Sequence, residues 1–134
     1  DRLRAERPAP GDDGREPGTI QVLAATDPAN PYGAALPWPA AESDAGRPAR
    51  AAGAFVVLDA GELRLYLERG GRSLLTRGEV GVEHVRALAA VAVRTGRVEI
   101  QRVDGTPVRQ TKLAAPLLEA GFGQSPRGLA LWQR

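Results

Sequence analysis

The chain has 134 residues and a mass of 14.2 kDa, which is the size of one ordinary domain. It contains no cysteine, so disulfides, iron–sulfur clusters, thiolate zinc sites and cysteine nucleophiles are excluded. A single histidine, His84, excludes a metal site built on two histidines, and we expect no bound metal. The net charge is +2 with a pI near 9.7, because nearly all basic residues are arginine. No apolar run reaches the roughly 18 residues of a membrane span, so no membrane partner is predicted.

The N-terminal segment has the composition of a linker. The chain begins at Asp1 rather than at a methionine, and its first residues carry no apolar stretch typical of a signal peptide. Prolines, glycines and charged residues then dominate up to Gly18. We therefore interpret residues 1–17 as a linker or the tail of a preceding domain in a longer protein, and residues 18–134 as one folded module.

Four β-strands are predicted in the first half of this module. Three of them form an antiparallel meander joined by short turns that contain glycine. In the middle strand Leu63, Leu65 and Leu67 alternate with polar residues. This alternation predicts that one face of the meander is buried and the other is solvated. The four predicted strands span residues 19–25, 53–58, 62–68 and 72–76.

Between the first two strands lies a proline-rich segment, residues 27–39, with four prolines. Each proline fixes φ and removes a hydrogen-bond donor, which excludes a long helix or a central strand. We expect an ordered irregular loop that Tyr32, Leu36 and Trp38 dock on the core. Residues 40–52 offer no such apolar anchor and are predicted to form a mobile loop.

The second half of the module alternates helical and strand patterns. Apolar residues recur at helical spacing between Val82 and Thr95, and Asp104-Gly105 is a strong hairpin signal. The whole pattern predicts an α+β fold: a bent antiparallel sheet or a small β-barrel-like module with two packed helices. In this half the predicted elements are a helix at 82–95, strands at 97–103 and 106–111, a helix at 113–120 and a strand at 127–133.

Residues that carry acid–base or nucleotide chemistry are few. A phosphate-binding loop is excluded because the one lysine, Lys112, follows Thr111 rather than glycine. Asp27 and Asp59 each begin a turn, where a carboxylate commonly accepts backbone N–H groups. They are the two weak candidates for catalysis. His84 is predicted to lie at the surface or boundary of its helix.

A modest basic surface is predicted on the solvated face of the meander. Residues 62–109 contain nine arginines and six acidic residues, a local charge of +3. Either these arginines are simply solvated, or they contact phosphates. Phe55 and Phe122 are expected in the core, and Trp38 and Trp132 are expected to be packing anchors. The candidate nucleic-acid-binding residues are Arg64, Tyr66, Arg69, Arg72 and Arg77, with Tyr66 as a base-stacking aromatic.

Three stretches of the chain resemble the C-terminal end of the large helicase-related (Lhr) family of superfamily 2 helicases. They are VLAATDPANPYGAALPWP at 22–39, GAFVVLDAGELRLYLERGGRSLLT at 53–76, and the closing segment with VDGTPV and LAAPLLEAGFGQSPRGLAL. The proline-rich stretch is the most specific part of the resemblance. Its motif residues are Asp27, Pro28, Asn30, Pro31, Tyr32, Gly33, Leu36, Pro37, Trp38 and Pro39.

The resemblance implies that the chain is the last module of a bacterial, cytoplasmic DNA-repair helicase. The family couples ATP hydrolysis to 3′-to-5′ translocation on single-stranded DNA and favours RNA:DNA hybrids. Its motor, with the ATP and magnesium sites, is N-terminal, so neither a catalytic residue nor a cofactor carries over to this chain. The C-terminal extension contains winged helices and a β-barrel-like module, is similar to winged-helix DNA glycosylases, and is associated with oligomer formation.

Three hypotheses follow for the chain itself. The first is a non-catalytic accessory module that supports binding to DNA or contact between subunits. The second is part of a base-excision (glycosylase-like) region, in which Asp27 or Asp59 would position water beside a flipped base. The third is a structural domain that only docks on the preceding winged-helix and motor domains.

Overall fold

The computed structural model describes residues 19–39 and 46–132. The expected linker at 1–17 and residues 40–45 of the expected mobile loop lie outside the described residues. The strands are β1 (Ile20–Ala24), β2 (Phe55–Asp59), β3 (Glu62–Leu67), β4 (Ser73–Thr76), β5 (Arg97–Ile100), β6 (Arg102–Val103), β7 (Thr106–Pro107), β8 (Gly123–Gln124) and β9 (Leu129–Trp132). The helices are α1 (Val82–Arg86), α2 (Ala89–Thr95) and α3 (Ala114–Glu119), and a 3₁₀ turn covers Val108–Gln110.

Two sheets organise these elements. The larger has the order β1-β2-β3-β4-β6-β7, and the smaller has the order β5-β9-β8. Every pair is antiparallel except β4 with β6, which run parallel. The predicted α+β class is confirmed. The sheet is mixed rather than antiparallel throughout, because β4 and β6 run parallel, and the described residues form no closed barrel.

A β-bulge interrupts the alternation of the middle strand. Val57 pairs with Leu65, but the next residue, Leu58, pairs with Leu63, so Arg64 is an extra residue without a partner on β2. The bulge reverses which face the preceding residues occupy. Leu63 therefore packs with the opposite core from Leu65 and Leu67, and the prediction that these three leucines share a face is wrong.

Both faces of the large sheet are covered. One face packs against the helices and the small sheet in the larger core, which includes Leu65, Val85 and Leu129. The other face packs against the proline-rich segment in a smaller core, which includes Tyr32 and Tyr66. The prediction that this face is solvated is wrong for the described residues around Tyr66, because the proline-rich segment covers them.

Two predicted continuous elements are each divided in the structure. The helix at 82–95 breaks at Ala87 and Leu88, whose amides bond to carbonyls three residues back rather than four. The strand at 97–103 divides at Gln101 into β5 and β6, which belong to different sheets. The strand predicted over 106–111 is β7 followed by the 3₁₀ turn. No helix among the described residues is both long enough and apolar enough to cross a bilayer.

Candidate nucleic-acid interface

Side chains of the proline-rich segment hold its own backbone in place. The Asn30 side-chain amide donates to the carbonyl of Ala25 (2.9 Å), and its oxygen accepts the amide of Tyr32 (3.1 Å). The Asp27 carboxylate accepts the amide of Ala29 at 2.8 Å, as in an Asx turn. The Tyr32 hydroxyl donates to the carbonyl of Gly61 in the β2–β3 turn at 2.9 Å. The polar residues of the family motif therefore fix the loop to the sheet.

The Arg50 side chain, which comes from outside the proline-rich segment, binds the main chain of the same loop. Its guanidinium donates to the carbonyls of Asn30 (2.7 Å) and Tyr32 (2.9 Å) through one nitrogen. The other nitrogen reaches the carbonyls of Asp27 (3.2 Å) and Thr26 (3.4 Å). These four main-chain carbonyls accept no hydrogen bond from a strand or a helix, and the Arg50 side chain donates to all of them. The sequence patterns did not identify Arg50, because it lies in a stretch with no apolar anchor.

Two aromatic rings of this loop pack with one aromatic ring of β3. Trp38 stacks on Tyr32 with centroids 5.8 Å apart and meets Tyr66 edge-on at 5.7 Å. Tyr66 is 3% exposed, and its hydroxyl donates to the carbonyl of Ala49 at 2.9 Å. Burial raises the pKa of the Tyr66 phenol above its ordinary value. The prediction that Tyr66 faces solvent as a base-stacking residue is therefore wrong.

Asp59 and His84 form a buried pair between β2 and α1. His84 Nδ1 accepts the amide of Gly81 at 2.9 Å, so the ring proton is on Nε2, which donates to Asp59 at 2.7 Å. Both side chains are less than 5% exposed. The Thr19 hydroxyl donates to the other Asp59 oxygen at 3.2 Å. The prediction of a surface or boundary His84 is wrong, and the Asp59 carboxylate is buried.

The four arginines predicted from the sequence do not form one group. Arg77 lies beside Arg64 at one end of the β3–β4 hairpin, because the Arg77 amide bonds to the Arg64 carbonyl at 2.9 Å. Arg69 and Arg72 flank the turn at the opposite end, about 16 Å along the strand from Arg64 at about 3.3 Å per residue. The Arg64 side chain is only 25% exposed and pairs with Glu62 at 3.0 Å. Of the four, Arg72 lies in a cleft.

That cleft, of about 580 Å³, brings together three exposed arginines. Arg72 comes from the β3–β4 turn, Arg97 from the first position of β5, and Arg127 from the β8–β9 turn. Glu99 and Gln101 also line it. Three arginines and one glutamate give the lining a charge of +2. We call these five side chains the arginine cleft.

Backbone and side-chain hydrogen bonds fix the walls of the arginine cleft. The carbonyl of Arg72 accepts the amides of Gln101 (2.8 Å) and Arg102 (3.1 Å), which joins the hairpin turn to the point where the two sheets separate. On the opposite wall, the guanidinium of Arg109 donates to the side chain of Gln124 at 3.1 Å and to the carbonyl of Ser125. These contacts hold both loops without using the guanidinium groups of Arg72 and Arg127.

Glu99 is the acidic side chain of the arginine cleft. Its carboxylate lies 3.1 Å from the Arg97 guanidinium. A hydrogen bond from the Ser125 hydroxyl is the main cause that lowers the pKa of Glu99, and the charges of Arg97 and Arg127 add to the effect. Glu99 is therefore ionised at neutral pH. It pairs with Arg97, while Arg72 and Arg127 keep the cleft positive.

Trp132 lies at the edge of the arginine cleft. It pairs with Arg97 across the β5–β9 ladder, and the Arg97 guanidinium lies 5.4 Å from the centre of its ring. The indole is 51% exposed, so the prediction that Trp132 is a packing anchor is wrong. Phe55 and Phe122 are buried as predicted.

A second cleft, of about 560 Å³, lies between the β6–β7 turn and the start of α3. Asp104, Lys112 and Thr76 are among its lining residues. The Asp104 carboxylate accepts both the amide (3.0 Å) and the hydroxyl (2.5 Å) of Thr76. These bonds explain Asp104 as a residue that fastens its hairpin turn to β4.

Two curated proteins match most of this chain. One, from Mycolicibacterium smegmatis, is named "Lhr helicase/ probable uracil glycosylase" and is 47% identical over 82% of this chain. The other, from Escherichia coli, is named "Lhr helicase/uracil glycosylase" and is 42% identical over 83% of this chain. The chain spans only 8% of the length of each relative. No protein-family model matches it. The resemblance drawn from the proline-rich motif is thus confirmed, and the chain belongs to the Lhr helicases as the counterpart of a short segment of those proteins.

Proposed function

We propose that the chain is a non-catalytic accessory module of an Lhr-type ATP-dependent DNA-repair helicase, and that it contacts the nucleic-acid backbone through the arginine cleft. The observation that supports this proposal is the convergence of Arg72, Arg97 and Arg127 from three separate parts of the chain. Its partners would be the winged-helix and motor domains of the same protein and a second copy of that protein, within a cytoplasmic assembly, while ATP and magnesium would bind the motor and not this chain.

The chemistry of arginine suits this role. A guanidinium remains charged at any working pH and presents a planar set of donors that matches two phosphate oxygens. The three guanidinium groups are exposed, so binding a phosphate does not require breaking the core. Each phosphate neutralised releases counterions, and the affinity should therefore fall as salt rises.

The test is the salt dependence of DNA binding by the 134-residue chain, measured by fluorescence anisotropy. We expect the log–log slope against salt to become less steep by about 0.7 for each cleft arginine changed to glutamine on a single strand. Arg86→Gln is the matched control, because Arg86 is an exposed arginine on α1 outside the cleft. Equal effects of Arg127→Gln and Arg86→Gln would show that the cleft has no special role.

Base excision is a second activity, raised by the words "uracil glycosylase" in the names of the relatives. That chemistry requires a polar group beside a flipped base. The Asp59 carboxylate is buried against His84, and the Asp27 carboxylate closes a turn. Neither geometry favours this activity. Loss of uracil excision in an Asp27→Asn variant that still folds would reverse this assessment.

A purely structural docking role is the alternative that the DNA-binding test addresses directly. Absence of binding at low salt would favour it. Leu36, Val93 and Leu118 are exposed apolar side chains on the proline-rich segment, α2 and α3 respectively. We rank this role below nucleic-acid binding because the arginine cleft gives nucleic-acid binding a defined site.

A further inference from the structure

We infer that Trp132 is a stacking subsite for one unpaired nucleobase, next to the arginine cleft. The inference rests on the proposed function, since it assumes that the ligand is a nucleic acid. It adds that the bound strand must be single-stranded at this point, because the base that stacks on Trp132 must not be paired with another base.

The exposure of Trp132 is the first observation. The other tryptophan of the chain, Trp38, stacks on Tyr32 and meets Tyr66 beneath the proline-rich segment. Trp132 instead leaves half of its indole accessible at the end of β9. Proteins that bind single strands stack bases on exposed aromatic rings beside cationic residues. Any base can stack in this way, because every base has a π-face.

The position of Arg97 is the second observation. Its guanidinium lies over the indole at 5.4 Å and also lines the arginine cleft. Glu99 pairs with it at 3.1 Å, so the indole and the cationic cleft share one arginine. A base on Trp132 therefore lies beside cations that can take the neighbouring phosphates.

Phosphate binding alone does not explain this arrangement. Backbone contacts need only cations, and an exposed indole adds nothing to them. In a duplex the bases stack on one another and their faces are not available, whereas a strand with unpaired bases can place one on the ring. The Trp132 subsite should therefore favour single strands over duplexes.

The experiment compares a 12-nucleotide oligothymidylate with an abasic strand of the same length, which keeps the phosphates and lacks the bases. We expect the oligothymidylate to bind the unmodified chain about tenfold more tightly and to quench tryptophan fluorescence. Trp132→Ala should remove both differences and leave the salt slope unchanged. Trp132→Phe should restore part of the affinity, and Val93→Ala, at another exposed apolar residue, should change neither quantity.

The outcomes separate the two proposals. If Trp132→Ala keeps the preference for the oligothymidylate, the subsite is refuted while the proposed function stands. If Arg72→Gln, Arg97→Gln and Arg127→Gln together leave binding of the abasic strand unchanged, the proposed function is refuted. Failure of the unmodified chain to bind either strand at low salt would refute both.

Discussion

Replacing Arg50 by alanine should release the proline-rich segment from the sheet. Arg50 donates to four main-chain carbonyls of residues 26–32, and no other side chain described in the structure joins so many parts of this loop. The variant removes the donor and leaves those carbonyls partly shielded from water. The cost therefore includes their lost hydrogen bonds as well as the packing of the arginine stem.

The magnitude follows from the geometry of the four bonds. The two at 2.7 and 2.9 Å are well formed, and bonds to a charged group contribute about 1.5 kcal/mol or somewhat more each. The two at 3.2 and 3.4 Å are long and add little. We expect Arg50→Ala to lower the free energy of unfolding by about 3 kcal/mol, a large part of the roughly 5–15 kcal/mol of an ordinary domain.

Urea unfolding followed by tryptophan fluorescence measures this difference. With a slope of about 1.5 kcal/mol/M, a loss of that size moves the midpoint down by about 2 M. Arg47→Ala is the matched control, because Arg47 is exposed and its loss changes the net charge equally. Arg50→Lys should recover less than half of the loss, since a lysine cannot span the four carbonyls. An Arg50→Ala midpoint equal to that of Arg47→Ala would refute the reasoning.

Three further predictions concern stability. His84→Ala should cost about 3–5 kcal/mol in denaturant unfolding because it removes the buried 2.7 Å partner of Asp59, and a loss below 1 kcal/mol would contradict this estimate. The pKa of Tyr66 is raised in the folded chain. Its contribution to the free energy of unfolding is therefore complete below about pH 10, and it is lost as the pH rises through the pKa of the folded state. Thermal unfolding at alkaline pH should therefore show a melting temperature that falls as the pH rises, and Tyr66→Phe should reduce this fall. An equal fall in the unmodified chain and in the variant would mean that another group causes it. Gly128→Ala should lower the melting temperature by several degrees, because the new Cβ overlaps the Ile100 carbonyl oxygen. Gly123→Ala is the comparison, since a Cβ at Gly123 meets no atom within 4 Å and its φ is not positive. An unchanged melting temperature for Gly128→Ala would mean that the loop gives way freely.

Sequence patterns predicted the α+β class and most element positions, because apolar periodicity follows burial directly. They failed where tertiary contacts override local pattern. The bulge at Arg64 reverses the face of Leu63, and nothing in the alternating run indicates it. The cover over Tyr66 comes from residues far away in the chain.

The candidate site was predicted only in part. Arg72 was identified, but Arg97 and Arg127 join it through the pairing of β5 with β9 and the turn after β8, which no short window of sequence reveals. The outward alternation of Arg97 and Glu99 was the one available signal. Buried pairing of Asp59 with His84 was not predicted, because their elements are 25 residues apart and neither is part of a recognisable motif.

The large sheet separates two cores of unequal size, and this has a consequence for how the chain opens. Among the described residues, seventeen buried residues lie on the helix side and eight on the side of the proline-rich segment. Amide hydrogen exchange should therefore show two cooperative units, with the segment around Asn30 exchanging at a lower free energy than β5 and β9. A partner that binds the proline-rich segment would protect one unit, whereas a nucleic acid on the arginine cleft would protect the other. The exchange pattern alone would then report which face of the module is occupied.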